Sequence, residues 1–306
     1  MEYIVKKGHR ISQMTLGTVQ LGMPYGINNS HGMPSEAQAH EILKTAEDLG
    51  VCTFDTARVY GKSETVLGNY WNGKTDGVTL ITKADFEDVT PDALFDKMME
   101  GTRQSLENMK LERIPFLLLH KEDYIPKYGK ALPAALAKLK AEGVVENVGI
   151  SFSDKSMLTE YCDPAVYDAI QIPMNLFDSA EIANGSVETL SKAGVAVFVR
   201  SVYLQGLFFK DPSTLTGKLT AAKEPLEHLH ALAREQGVSL SQMALSFIRE
   251  AAGVDSIVLG CETAAQLRES ASLFEGYSVP AALREQITEI ALSADPVITK
   301  PWLWNK

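Results

Sequence analysis

The sequence predicts a closed (β/α)8 barrel, and three observations carry that expectation. Eight short apolar runs are spread along the 306 residues. Segments of helical period lie between them. The runs also lack the strict alternation of a sheet with one wet face, so they suit strands buried on both sides. Strand-then-helix order repeated eight times points to a parallel sheet closed on itself. The length is ordinary for one such barrel, and a hydrophobic fraction of 45% is enough for a full core.

The elements follow in order. Residues 2–12 carry Lys7-Gly8-His9-Arg10 between short β-prone runs, which predicts a small hairpin plugging the N-terminal end of the barrel. The eight runs are Met14 to Val19, Val51 to Asp55, Val78 to Lys83, Ile114 to His120, Asn147 to Ser151, Ala169 to Pro173, Val195 to Arg200 and Ser256 to Gly260. Helices are expected at Ser35 to Leu49, Asp92 to Met109, Leu132 to Glu142, Glu181 to Ala193 and Pro225 to Gln236. Ser35 with Glu36 reads as a helix start and Gly50 as its stop. Pro173 removes a ladder hydrogen bond, so it should mark its strand's end at the rim. From about Ser278 a further helix and the tail Pro301-Trp302-Leu303-Trp304 lie outside the alternation. No linker, repeat or low-complexity segment divides the chain, and residues 1–306 are expected to form one domain.

A doubly wound sheet is the competing architecture. Against it, the stretch after the first run, Leu21-Gly22-Met23-Pro24-Tyr25-Gly26, does not fit the GxGxxG phosphate fingerprint.

Composition narrows the function. A formal net charge of −10 repels a phosphate backbone or an anionic membrane surface, so neither nucleic acid nor membrane is an expected partner. An anionic small ligand stays open, because a local positive cluster overrides the mean. Cys52, Cys162 and Cys261 form neither a disulfide framework nor a CxxC pattern, and the histidines show no metal-ligand spacing. The start MEYIVKKGHRIS lacks a signal-peptide core, and no run approaches the ~18 apolar residues of a spanning helix. A cytoplasmic enzyme is the resulting expectation.

In barrels the chemistry sits at the C-terminal strand ends. There stand Asp55, Lys83 and His120, with Tyr60 five residues beyond Asp55, and closure brings them to one mouth. An ammonium beside a phenol favours the phenolate, so Lys83 would make Tyr60 a better acid, with Asp55 holding Lys83. His120 would donate to a carbonyl oxygen. That set suits carbonyl reduction, with the hydride brought by a cofactor. Lys83 has another reading, a Schiff-base nucleophile, which would make the chain an aldolase.

The run Phe54-Asp55-Thr56-Ala57-Arg58-Val59-Tyr60-Gly61-Lys62-Ser63-Glu64 resembles the FDTAxxYGxSE signature of the aldo-keto reductase superfamily. The resemblance extends through Gly17 with Gln20-Leu21-Gly22, Leu118-Leu119-His120, Gly149-Ile150-Ser151, and Gln171 to Asn175. It implies an NADPH- or NADH-dependent reductase of aldehydes or ketones on a TIM barrel, with Asp55, Tyr60, Lys83 and His120 as catalytic tetrad and Tyr60 as general acid. It also implies a cofactor site: nicotinamide near Ser151 and Gln171, pyrophosphate under Ser201, Leu204 and Gly206, and adenosine along Gly260, Glu262, Gln266 and Ser270. Two residues depart from the family pattern. Phe152 stands where Asn is common, and Arg200, counted with the cofactor residues, stands where an aromatic often stacks on the nicotinamide. Glu262 occupies a place where NADP-preferring members carry a base. It would repel a 2′-phosphate and accept from a free ribose, which tilts the expectation toward NADH, unless Arg268 turns to the phosphate.

Substrate contacts are expected from Tyr25 and Trp302, and from the polar loop Gly22 to Pro34 with Asn28, Asn29 and His31. That loop favours a small polar, sugar-like carbonyl, although Phe208-Phe209-Lys210 and the tail also border the mouth. Members of this fold also serve as cofactor-sensing regulatory subunits, which is the non-catalytic alternative.

Overall fold

A computed structural model describes residues 1–26, 29 and 32–304. Ten strands are found in it: β1 (Tyr3–Lys6), β2 (His9–Ser12), β3 (Met14–Gly17), β4 (Thr53–Asp55), β5 (Thr79–Ala84), β6 (Ile114–Leu119), β7 (Val145–Ser151), β8 (Ala169–Pro173), β9 (Ala196–Arg200) and β10 (Ser256–Gly260). Strands β3 to β10 form a closed barrel in sequence order, with β10 returning to β3, and the registered pairs are all parallel. All eight apolar runs thus became barrel strands.

Residues two apart share a face, and the faces divide cleanly. Leu80, Leu117, Leu119, Ile170, Val197 and Val199 look outward into the large core beneath the helices. Ile81, Phe116, Leu118, Ala169, Ala196 and Phe198 look inward and pack as a separate cluster filling the barrel. The same parity carries Asp55, Lys83, Gln171 and Arg200 inward at the upper ends of their strands, above that apolar filling. His120 continues it one step past β6, with its N–H on Ala84 O at 2.9 Å.

Strands β1 and β2 form the expected hairpin, turning through Lys7 and Gly8, both at positive φ (52° and 83°) as a tight hairpin turn requires. Ile11 enters the interior cluster and the His9 ring stands edge-on to Phe116, 5.3 Å between centroids. Lys6 pairs with Asp255 at 2.7 Å and Lys7 with Asp168 at 3.1 Å, both acids lying at the N-terminal side of barrel strands. The hairpin closes the end opposite the C-terminal ends of the barrel strands.

The helix Glu36–Asp48 begins at Ser35, as expected. Its partner in the capping box is Gln38: the Ser35 N–H donates to Gln38 Oε1 at 2.9 Å, and the Gln38 N–H to Ser35 Oγ at 3.4 Å. Gly50 at φ 79° stops it. The segment expected as one helix from Glu181 to Ala193 divides into Ala180–Ala183 and Ser186–Lys192, because Gly185 adopts φ 74° between them. Helices at Ser63–Trp71, Leu240–Arg249 and Ala264–Ser272 add to those foreseen. Pro173 ends β8 opposite Arg200, so the proline marks the rim. Beyond the barrel, helix Ala281–Ser293 buries Leu283, Ile287 and Ile290, and the Trp304 indole N–H donates to Val297 O at 3.1 Å. Among the described residues no helix is long and apolar enough to cross a membrane.

Strand β7 meets β8 at Gly149, where a Cβ would stand 2.3 Å from Ala169 O and 2.5 Å from Leu118 Cδ2. Gly149→Ala is therefore expected to destabilise the fold by about 1–3 kcal/mol through overpacking. Denaturant unfolding checks this, and an unchanged midpoint would show that the two strands have room to separate.

Candidate active site

Asp55 and Lys83 are 3% and 1% exposed, a depth at which neither charge is tolerable alone. Lys83 Nζ donates to Asp55 Oδ1 and Oδ2 at 2.6 and 2.7 Å and to Thr56 O at 3.0 Å, so all three ammonium protons are engaged. Gln171 Nε2 donates to Asp55 Oδ1 at 2.7 Å, tying β8 to the same carboxylate. Its amide thus takes part in this buried network as well as lining the cavity above it.

Tyr60 stands over this pair. Lys83 Nζ lies 5.1 Å from the centre of its ring, and the His120 ring meets it edge-on at 5.8 Å. The loop that carries Tyr60 is pinned at several places, which accounts for the residues around it. Ser63 Oγ donates to Thr18 O at 2.9 Å and accepts from Thr56 Oγ1 at 2.8 Å. Glu64, 2% exposed, accepts from Thr82 Oγ1 at 2.7 Å and from Asn108 Nδ2 at 2.9 Å. Gly61 takes φ 57° while pressed against Gly22, and a Cβ on Gly22 would come within 1.9 Å of Tyr60 O. Gly22 therefore sets the height of Tyr60, a role that sequence spacing alone did not reveal.

Asp85 is a second residue that the reading of strand ends passed over, because it lies one step beyond β5. It accepts from Tyr124 Oη at 2.6 Å and Lys121 Nζ at 2.9 Å, and its Oδ2 is 3.9 Å from His120 Nδ1. Burial, reinforced by the charge of Lys83, lowers the His120 pKa to about 4 despite the opposing pull of Asp85. The imidazole is neutral at physiological pH and offers one ring N–H as a donor.

These groups open onto a cavity of about 950 Å3. Asp55, Tyr60, His120, Ser151, Gln171, Arg200, Ser201, Gly206, Gly260, Glu262, Gln266, Ser270 and Tyr25 all border it. Lys83 does not; it lies behind Asp55 with its three ammonium protons bonded. Leu204 is buried under the loop and Trp302, 48% exposed, lies away from the cavity. Asn28 and His31 fall outside the described residues, while Asn29 borders the cavity.

The cavity walls fit a large polar cofactor. Gly17 and Gly260 leave its floor without side chains. Gln20 Oε1 and Tyr203 Oη border it, buried and without a hydrogen-bond partner among the described residues. Ser201, Leu204, Gln205 and Gly206 all take positive φ (63°, 46°, 53° and 94°), bending the chain sharply around one side. Glu262 and Glu269 both border it, whereas Arg268 is directed away, its Nη2 donating to Thr45 Oγ1 at 3.3 Å.

The Aldo/keto reductase family model matches residues 13–291, from the first barrel strand into the last long helix. The chain belongs to the aldo/keto reductase family. D-threo-aldose 1-dehydrogenase from a Pseudomonas species is 28% identical to it, across 88% of this chain and 93% of the relative. An uncharacterized oxidoreductase of Bacillus subtilis is 24% identical, across 93% and 91% of the two chains. Among solved structures, the holo form of an aldo-keto reductase from Bacillus halodurans superposes with a TM-score of 0.76 at 20% identity, covering 98% and 99% of the chains. The glycerol dehydrogenase of Gluconobacter oxydans superposes with a TM-score of 0.71 at 19% identity, covering 96% of each. The barrel is that of the family, and this aldo/keto reductase is an oxidoreductase of the nicotinamide-using kind.

The state of His120 can be measured. Its ring protons should titrate near pH 4 by NMR, instead of near the ordinary 6.5. Between those values the unfolded chain binds a proton that the folded chain refuses, so acidification through that window should lower stability. A titration midpoint near 6.5 would mean that water reaches the ring freely.

Proposed function

We propose that this enzyme interconverts a small carbonyl compound and its alcohol with NAD(P)H, Tyr60 being the general acid in the direction of reduction. One observation supports this above the others. A phenol stands over a fully bonded, buried Lys83–Asp55 pair and beside a neutral imidazole, at the inner end of a cavity of cofactor size. The bound nicotinamide supplies or accepts the hydride.

The roles follow from the surroundings of each group. His120, uncharged, donates its ring N–H to the carbonyl oxygen and holds it beside Tyr60 without becoming a competing acid. The Tyr60 hydroxyl gives its proton to that oxygen as negative charge develops there. Lys83 stabilises the phenolate left behind, and Asp55 with Gln171 keeps the ammonium in place. Ser151 and Gln171 border the nicotinamide end. Ser201, Leu204 and Gly206 form the bend that receives the pyrophosphate, and Gly260, Gln266 and Ser270 border the adenosine. Trp302 is 48% exposed and does not border the cavity, so of Tyr25 and Trp302 only Tyr25 is assigned contact with the substrate.

Two finer assignments complete the reading. The carboxylates of Glu262 and Glu269 at the outer end of the cavity disfavour a 2′-phosphate, and Arg268 bonds elsewhere, so NADH is the preferred cofactor. A small hydroxylated substrate is supported by the polar walls and by the aldose dehydrogenase among the relatives.

Tyr60→Phe should lower kcat by about 10²–10⁴-fold while the purified protein still binds cofactor. A loss below tenfold would remove Tyr60 from the role of acid. Titration of the wild type by fluorescence quenching, at one fixed salt concentration, should show tighter binding of NADH than of NADPH. A tenfold preference for NADPH, about 1.4 kcal/mol, would overturn the assignment to Glu262.

A further inference from the structure

The charges around the inner end of the cavity do not cancel. Asp55 is matched by Lys83, and Lys121 by Asp85 at 2.9 Å. Arg200 is the exception. It ends β9 on the inward face, half-buried, and borders the cavity with Tyr60, His120 and Tyr25. Among the described residues no carboxylate lies within ion-pair distance of it. Its Nη2 donates to Phe152 O at 2.9 Å and approaches Ser153 Oγ at 3.5 Å, and its Nη1 donates to Ser201 Oγ at 3.2 Å. All three are neutral oxygens.

A guanidinium has five N–H donors. Three contacts leave the Nε proton and one on Nη1 without a protein partner. The three contacts also hold the group still, two of them made to the loop after β7 and one to the start of the Ser201 bend. A half-buried cation fixed in this way, beside an imidazole that burial keeps uncharged, lacks the counter-charge such a site requires. Its field reaches both Tyr25 and His120. The chain as a whole carries a net charge of −10, so general attraction for cations cannot account for a positive spot at the reacting end.

We propose that Arg200 is a specificity-determining residue that binds a carboxylate on the substrate. The substrate class is then a hydroxylated carbonyl compound bearing an acid group, such as an aldehyde acid, held between Arg200 and the Tyr60–His120 pair. This rests on the oxidoreductase reading above and deepens it. Arginine recognises carboxylate oxygens through charge-assisted hydrogen bonds that are roughly twice as strong as neutral ones. The cofactor's pyrophosphate is the other anion that could meet this cation, so the test separates the two.

Two measurements suffice. Calorimetric titration of the NADH-loaded protein with succinate, an unreactive dicarboxylate, should give a Kd at least tenfold weaker for Arg200→Gln than for wild type, with Arg200→Lys between them. This readout needs no turnover. The second compares succinic semialdehyde with butyraldehyde, which differ by the carboxylate. The ratio of kcat/KM for the acid to that for the neutral aldehyde should fall at least tenfold in Arg200→Gln. Equal succinate binding by the wild type and Arg200→Gln, or an unchanged ratio, overturns the proposal. So does a variant whose loss appears as weaker NADH binding with the ratio intact, which would assign Arg200 to the cofactor. Failure of the wild type to reduce butyraldehyde or succinic semialdehyde, with succinate binding still dependent on Arg200, would instead count against the oxidoreductase reading and leave the anion site standing.

Discussion

A carboxylate and an ammonium buried together inside a barrel set the terms for everything above them. Neither Asp55 nor Lys83 is tolerable at its depth without the other, and the pair becomes affordable only because Thr56 O and Gln171 Nε2 complete its hydrogen bonds. The cluster joins the neighbouring strands β4 and β5 to β8 across the barrel. Any change in strand register would separate its members. The geometry of the candidate site and the closure of the barrel therefore depend on the same few contacts.

The interior is organised as a stack. The hairpin supplies Ile11 at the bottom, Phe116, Leu118 and Phe198 fill the middle, and the polar groups sit on top. The apolar middle keeps water from reaching Lys83 and Asp55 from below, which strengthens their attraction. It also leaves the cavity as the approach from the catalytic face. Tyr60 is held there by a segment in which Gly61 presses on Gly22, the Ser63 hydroxyl bonds Thr18 O and the Glu64 carboxylate bonds Thr82. The signature around Tyr60 is thus a set of packing requirements as much as a set of reacting groups.

Electrostatics grade the cavity along its length. Its inner end pairs a neutral imidazole with the unmatched guanidinium of Arg200, while its outer end carries Glu262 and Glu269. A chain whose mean charge is strongly negative thus places the guanidinium of Arg200 beside Tyr60 and His120 with no acid of its own in ion-pair distance among the described residues.

The sequence by itself determined the barrel and the polar residues at its strand ends. Period-2 and period-3.6 patterns are local properties, and parity along a strand states which side chains share a face before any contact is known. The hairpin, the start of the helix at Ser35 and the rim position of Pro173 were legible for the same reason. What only the tertiary structure decided are relations between distant segments. Gln171 donates to Asp55 across 116 residues, Gly22 fixes the height of Tyr60, and Asp85 lies beside His120. Gly185 splits a helix whose pattern looked continuous, because its backbone conformation leaves no trace in hydrophobic periodicity. Whether Arg200 meets a carboxylate, or Arg268 turns to the cavity or to Thr45, depends on how separate helices and strands pack, and no local pattern encodes that.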